Sequence, residues 1–431
     1  MENGIENLYK ILHGCKFKIA TDTRDIKGGE IFFALKGDNF NGNTFVSEAL
    51  RQGCSYAVTD EIINSKSENV IKVENVLHTL QQLANYHRKI LNIPILAITG
   101  TNGKTTTKEL SFCVLSKKYH TSCTKGNLNN HIGVPLTLLS FNSMTEIGVV
   151  EMGANHIGEI DFLCKIAEPD YGLITNIGKA HIEGFGSYEG VITAKSELYN
   201  YLNNIKAPVF YNSDNSILNK LYKSKPVGYA LSVKDGFYVK VVDRNPFLEV
   251  EIHNEKGEKV KVRSNLFGDY NAENIAAAAC IGDYFNISLN EIKSAIESYI
   301  PSNNRSQVYQ TSKNTLYLDM YNANPTSMHA AISNFAFADG DKVLILGDML
   351  ELGKVSANEH REIIALVKKL KFTTVFFAGK EFKSVKDNHE FHFFSSSDEL
   401  KEFLKANPIS GKSLLIKGSR GIKLEKLVEE L

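Results

Sequence analysis

The sequence predicts an α/β protein of three units: a small N-terminal α/β unit, a central unit with a mostly parallel sheet, and a C-terminal Rossmann-like, doubly wound unit. Three observations predict it. Compact apolar runs without polar alternation recur from Ile95 onward, as Ile95-Leu96-Ala97-Ile98, Ile147-Gly148-Val149-Val150 and Gly172-Leu173-Ile174-Thr175, which suits strands covered on both faces. A second series, Thr315-Leu316-Tyr317-Leu318, Val343-Leu344-Ile345-Leu346, Thr374-Val375-Phe376-Phe377 and Leu414-Leu415-Ile416, alternates with helical stretches. The length of 431 residues centres on three domains at roughly 100–200 residues each. The boundaries fall at 1–88, 89–310 and 311–431.

In the first unit, residues 31–35, 55–59 and 70–73 read as short strands. Residues 44–52 have helical spacing and end at Gly53, a C-cap residue. Residues 76–91 read as a helix leading into the second unit, and Pro94 breaks it. The second unit adds helices at 104–116, 188–202 and 271–285. Residues 227–263 alternate in polarity around the turn signals Asp235-Gly236 and Glu255-Lys256-Gly257, so they predict an antiparallel segment.

Composition narrows the function classes. Lys plus Arg and Asp plus Glu number 49 each, so no global field draws the chain to nucleic acid or an anionic membrane. Six scattered cysteines, with no C-x-x-C pair, read as reduced thiols of a cytoplasmic protein. The acidic, polar start lacks the basic and apolar regions of a signal peptide, and no apolar run approaches the roughly 20 residues that span a bilayer. No membrane insertion and a monomeric state are expected.

The sharpest motif is Gly100-Thr101-Asn102-Gly103-Lys104-Thr105-Thr106, between a strand and a helix. There, glycines let the backbone wrap phosphate oxygens and the helix start offers N–H groups and a positive dipole end. Lys104 reaches β/γ-phosphates, and the hydroxyl of Thr105 or Thr106 ligates Mg²⁺. Only Thr101 and Asn102 separate the glycines, against four residues in the common form. That spacing weighs against an ordinary GTPase or motor ATPase.

Other polar residues follow strands. Glu151 is placed either as a metal ligand or as a capping, solvated carboxylate. His181 is either packed or functional. Lys195, judged by composition and spacing alone, is a solvated helix lysine. Asn271 and Asn274 share a helix face and either read a nucleobase or cap the helix. Asp319-Met320-Tyr321-Asn322-Ala323-Asn324-Pro325 reads as a binding loop. Gly347-Asp348-Met349-Leu350-Glu351-Leu352-Gly353 and Lys417-Gly418-Ser419-Arg420-Gly421 also follow strands.

Together and in this order, these motifs resemble the Mur ligases, ATP-dependent amide-forming enzymes of peptidoglycan precursor synthesis. The resemblance assigns Gly100, Thr101, Asn102, Gly103, Lys104, Thr105, Thr106, Asn271, Asn274, Arg305 and Asp319 to ATP. It assigns Thr105, Glu151, His181 and a carbamylated Lys195 to two Mg²⁺ ions, with Lys104, Lys195 and His181 catalytic. Gly126-Asn127-Leu128-Asn129-Asn130-His131-Ile132-Gly133-Val134-Pro135, Glu151-Met152-Gly153-Ala154-Asn155-His156 and the two loops at 319–325 and 347–353 are similar to members that add D-alanyl-D-alanine to UDP-N-acetylmuramoyl-tripeptide. By the same resemblance Thr21-Asp22-Thr23-Arg24 and residues 28–45 belong to a UDP-sugar-binding domain. Thr23, Arg24, Asn129, Asn130, Asn322 and Asn324 face the substrates, and residues 311–431 bind the dipeptide. Two positions depart from the family: Tyr270 stands where it usually has His, and Asn304 where it has Gly before Arg305.

The resemblance implies an acyl phosphate, made from ATP and the substrate carboxylate and attacked by the dipeptide amine. A related ligase adding diaminopimelate, lysine or glutamate is the nearest alternative, and the 319–325 motif argues against it. A P-loop nucleotide-binding module without ligase chemistry is the alternative from another class.

Overall fold

The computed structural model describes residues 2–63, 68–223, 225–233, 235–244, 246–302, 304–386 and 391–431. The chain packs into two units. One comprises Met1–Ala97, Tyr119–Ala154 and Glu159–Tyr171; the other comprises Ile98–Lys118, Asn155–Gly158 and Gly172–Leu431.

The first unit carries a four-stranded parallel sheet in the order Ile19–Ala20, Ile31–Phe33, Tyr56–Thr59, Val70–Lys72. Phe32, Ala34, Val46, Ala49 and Ala57 fill its core. The helix expected at 44–52 is a 3₁₀ turn, Gly42–Phe45, running into the α-helix Val46–Arg51. The helix Val76–Leu91 forms where expected, with Asn75 accepting from the His78 amide at its start. It ends at Asn92 in the left-handed conformation, which asparagine tolerates. A helix the sequence reading left unassigned, Glu2–Gly14, lies against it; Tyr9 Oη bonds His87 Nδ1 at 2.9 Å. Its buried residues Leu8 and Leu12 are one turn apart, so the periodic signal was present. The same unit holds the strand Ile147–Glu151, parallel to Thr121–Cys123.

In the second unit, the end of the buried strand Ile95–Thr99 lies beside Tyr171–Ile174, with Thr175 N–H donating to the Thr99 carbonyl at 2.9 Å. From Tyr171–Ile174 the sheet continues through Val209–Asn212, Pro226–Ala230, Phe237–Asp243, Glu249–His253 and Lys259–Arg263. The expected antiparallel segment is corrected at one point. Phe237–Asp243, Glu249–His253 and Lys259–Arg263 are antiparallel, but Pro226–Ala230 enters parallel to Phe237–Asp243. The amides of Leu231 and Ser232 donate to the Asp214 carboxylate, not to a hairpin ladder.

The C-terminal part is a six-stranded sheet in the order Gln307–Gln310, Thr315–Asp319, Ser413–Lys417, Lys342–Gly347, Thr374–Ala378, His392–Phe394. The first pair is antiparallel and the others parallel. Alternate residues feed two cores: Leu344 and Leu346 face one, Val343 and Ile345 the other. This is the doubly wound arrangement the apolar runs predict. Its three central parallel strands deliver the loops at 319–325, 347–353 and 417–421 from the same sheet end.

Candidate active site

The phosphate loop is fixed by its own neighbours in the second unit. Gly100 has φ +140°, and a Cβ there would collide with the Thr175 hydroxyl. Gly103 has φ +78°, and a Cβ there would strike Asn274 Oδ1. Both positions therefore require glycine. Thr101 N–H donates to the Asn176 carbonyl at 2.9 Å and Asn102 N–H to Asn176 Oδ1 at 3.0 Å. The Thr175 hydroxyl donates to the Asn102 carbonyl at 2.7 Å. Lys104 Nζ lies across the loop, donating to the carbonyls of Gly100 at 2.8 Å and Thr101 at 3.0 Å. The helix Lys104–Leu115 starts on a residue without a side chain, so nothing at position 103 competes for its first-turn amides. Thr105 and Thr106 are buried in that turn. Sequence reading missed Thr175 and Asn176, although the polar break after their apolar strand was the available signal.

Asn271 and Asn274 are buried in the Ala-rich helix Tyr270–Tyr284. Asn274 Oδ1 accepts from the Thr107 hydroxyl at 3.0 Å, and its Nδ2 donates to Asn271 Oδ1 at 2.8 Å. Asn271 Nδ2 donates to the Phe267 carbonyl at 2.7 Å and to Ser306 Oγ at 3.0 Å. The pair thus braces the phosphate-loop helix against its neighbour. Tyr270 also joins this network, its hydroxyl 3.3 Å from Ser306 Oγ, and burial pushes its phenol well above the ordinary range. Asn304 has φ +56°, which explains why glycine suits the position and asparagine replaces it at small cost.

Lys195 overturns the solvated reading. It is buried on the helix Tyr188–Asn204, in the same stripe as Val191, Leu198 and Leu202. An ammonium on an apolar face is costly unless its charge is compensated or changed. The spacing of Val191, Lys195, Leu198 and Leu202 carried that signal. Its Nζ lies 5.2 Å from the centre of the Phe185 ring, which the His181 ring meets edge-on at 6.3 Å. His181 and Lys195 therefore flank one side chain.

Glu151 is buried at the end of its strand in the first unit, accepting from Asn129 Nδ2 at 2.7 Å. Asn130 Oδ1 accepts from the amides of Ile132 and Gly133 at 3.1 and 2.9 Å, capping the turn into the helix Gly133–Leu139. Thr23 and Arg24 lie in a 3₁₀ turn, where Arg24 pairs with Asp22 and holds its carboxyl down to about 2. Among the described residues, no three His, Cys, Asp or Glu side chains converge as a ready-made metal site. A Mg²⁺ ion needs no such cluster, because it takes one or two protein ligands and completes its shell with phosphate oxygens and water.

In the C-terminal loops, Asp319 pairs with the buried Lys417 at 2.5 Å. The Arg305 guanidinium stacks 3.5 Å from the centre of the Tyr321 ring, with Arg420 at 5.7 Å from the same ring. Asn322 is exposed, its Oδ1 accepting from the Ala323 amide. Asn324 is buried: Oδ1 accepts from Ser327 N–H at 2.9 Å, and Nδ2 donates to Asn102 Oδ1 of the phosphate loop at 2.8 Å. The dipeptide-loop candidate and the phosphate loop are thereby hydrogen-bonded.

The Mur ligase middle domain model matches residues 98–282, and the Mur ligase glutamate ligase domain model matches residues 304–420. The UDP-N-acetylmuramoyl-tripeptide–D-alanyl-D-alanine ligase of Bacillus subtilis (strain 168) is 35% identical over 433 residues, covering 98% of this chain and 93% of that protein. The enzyme of the same name from Escherichia coli (strain K12) is 31% identical over 427 residues, covering 96% and 93%. Among solved structures, MurF from Acinetobacter baumannii superposes with a TM-score of 0.87 at 30% identity, covering 96% of this chain and 93% of that one. MurF ligase from Thermotoga maritima in complex with ADP gives 0.83 at 26% identity, covering 96% of each.

Proposed function

The chain belongs to the Mur ligase family, and we propose that it joins D-alanyl-D-alanine to UDP-N-acetylmuramoyl-tripeptide with ATP as the activating reagent. The observation that carries this reading is the phosphate loop with Lys104 lying across it, hydrogen-bonded through Asn102 and Asn324 to the 319–325 loop.

We divide the work among residues 1–88 for the UDP-sugar end, with Thr23 and Arg24, 89–310 for ATP, and 311–431 for the dipeptide. A carboxylate resists attack by an amine because its oxygen is a poor leaving group. One carboxylate oxygen of the tripeptide attacks the γ-phosphorus, and ADP leaves. The free amine of D-alanyl-D-alanine then adds to the carbonyl carbon of the acyl phosphate. The tetrahedral intermediate collapses to the amide, and phosphate departs with one former carboxylate oxygen. The protein's contribution is alignment and charge neutralisation.

Lys104 and the first-turn amides hold the phosphate oxygens. Arg305 and Asp319 serve the nucleotide. Asn271 and Asn274 support the site by bracing Gly103 and Thr107. Of the two loop asparagines, Asn322 is kept for the dipeptide, since Ser327 and Asn102 engage Asn324. Mg²⁺ would supply charge neutralisation for the phosphoryl oxygens; Thr105 and Glu151 are each kept as candidate ligands, and His181 with a carbamylated Lys195 would hold a second ion. Carbamylation would turn the Lys195 amine into an anionic oxygen ligand of the kind Mg²⁺ takes. We place the chain in the cytoplasm, where peptidoglycan precursors and ATP are made; no described helix is long and apolar enough to cross a membrane.

Phosphate release with UDP-N-acetylmuramoyl-tripeptide is expected with D-alanyl-D-alanine and not with meso-diaminopimelate, lysine or glutamate. Release with a single amino acid, on its own acceptor and not with the dipeptide, would move the chain to another branch of the family.

A further inference from the structure

We propose that Glu351 is a positioning residue for His181, and that the loop 347–353 exists to hold it there; this rests on the reading of His181 as a metal ligand. The loop is built rigidly. Buried Asp348 accepts from the amides of Glu381 and Phe382, each at 2.9 Å. The buried His360 accepts from Met349 N–H through Nε2 at 3.1 Å and donates through Nδ1 to the Ser356 carbonyl at 2.7 Å. The Asp348 carbonyl accepts from Ser419 N–H at 3.1 Å, and Leu350 N–H donates to Ser419 Oγ at 3.0 Å.

From this anchored base Glu351 projects with φ +63°, and its carboxylate meets Nδ1 of His181, whose own φ is +52°. Two non-glycine residues in the left-handed region, joined through their side chains, mark a contact the surroundings impose against local preference. The Glu351 carbonyl also accepts from Glu183 N–H at 3.4 Å. A carboxylate on Nδ1–H fixes the imidazole tautomer and ring plane, leaving Nε2 with the lone pair that ligation requires. The 178–181 segment has separate anchors, since Lys179 N–H donates to Thr326 Oγ1 at 3.2 Å and Lys179 Nζ pairs with Glu359 at 2.9 Å. Loss of Glu351 therefore releases the ring without releasing the segment.

Glu351→Gly removes the carboxylate and suits the left-handed backbone, so the variant keeps its fold; Glu351→Gln retains an acceptor. Two readouts are made on the full chain: ¹⁵N shifts of His181 without metal, assigned with His181→Asn, and Mn²⁺ binding in the presence of ADP by electron paramagnetic resonance. Expected for Glu351→Gly are loss of the pure Nδ1–H tautomer and roughly 10–100-fold weaker Mn²⁺ binding, largely restored in Glu351→Gln. An unchanged tautomer and Mn²⁺ affinity in Glu351→Gly, with His181→Asn weakened, overturns the inference alone. Unchanged Mn²⁺ affinity in His181→Asn removes the ligand reading and the inference with it.

Discussion

Asn274→Ala separates a bracing role from a nucleobase-reading one. Asn274 links Thr107 of the phosphate-loop helix to Asn271 of the Ala-rich helix, with bonds of 3.0 and 2.8 Å, and is buried. Truncation leaves the Thr107 hydroxyl and the Asn271 carbonyl oxygen each short of a partner. A buried polar group so deprived costs about 1–3 kcal/mol, so the pair sums to roughly 2–5 kcal/mol after partial relaxation. Thr107→Val removes one end of the same bond, and the double variant reports a coupling of about 1–2 kcal/mol. The chain has no tryptophan, so urea unfolding is followed by far-UV circular dichroism, alongside hydrogen exchange across residues 270–284. Faster exchange in that helix and a lower midpoint are expected, with KM for ATP raised only through the loosened loop. A stability loss under about 0.5 kcal/mol, together with a large rise in KM for ATP, would refute the brace and return Asn274 to direct nucleotide contact.

Asn324→Ala removes both the N-cap of the helix Pro325–Phe335 and the bond to Asn102, so a cost of about 1–2 kcal/mol and weaker ATP binding are expected by thermal unfolding and calorimetry. Burial raises the Glu273 carboxyl from its ordinary 4.5 to about 7. The folded state then holds the proton more tightly than the unfolded state, so this group favours folding at low pH and its contribution falls as pH rises from about 4.5 to 7. Glu273→Gln should gain stability relative to the parent across that window, reaching on the order of 2–4 kcal/mol above pH 7 in urea titrations. A flat difference would contradict the buried acid. Lys104→Ala should abolish phosphate release and Lys195→Ala should lose most of it. Near-parental turnover of Lys195→Ala at low bicarbonate would remove the carbamate.

Much of this fold was legible because buried parallel strands need uninterrupted apolar runs and the helices between them need caps. The helix Val76–Leu91 and the strand Thr374–Ala378 follow directly from such local signals. The pairing direction of Pro226–Ala230 was not legible, because alternation reports which face is buried and not which way a neighbour runs. The phosphate loop could be read because its chemistry is contiguous. The Glu351–His181 pair, the Asn324–Asn102 bond and the Lys417–Asp319 pair could not, because each joins residues far apart in sequence. Lys195 is the instructive case. A lysine is ordinarily solvated, and only its place in the stripe with Val191, Leu198 and Leu202 shows that it is not.

The most direct measurement uses tripeptide substrate labelled with ¹⁸O in both oxygens of the reacting carboxylate. If ATP activates that carboxylate by γ-phosphoryl transfer at the Gly100–Thr106 loop, the products are ADP and inorganic phosphate carrying one ¹⁸O. Release of AMP with the label, or of phosphate without it, would contradict the acyl-phosphate account.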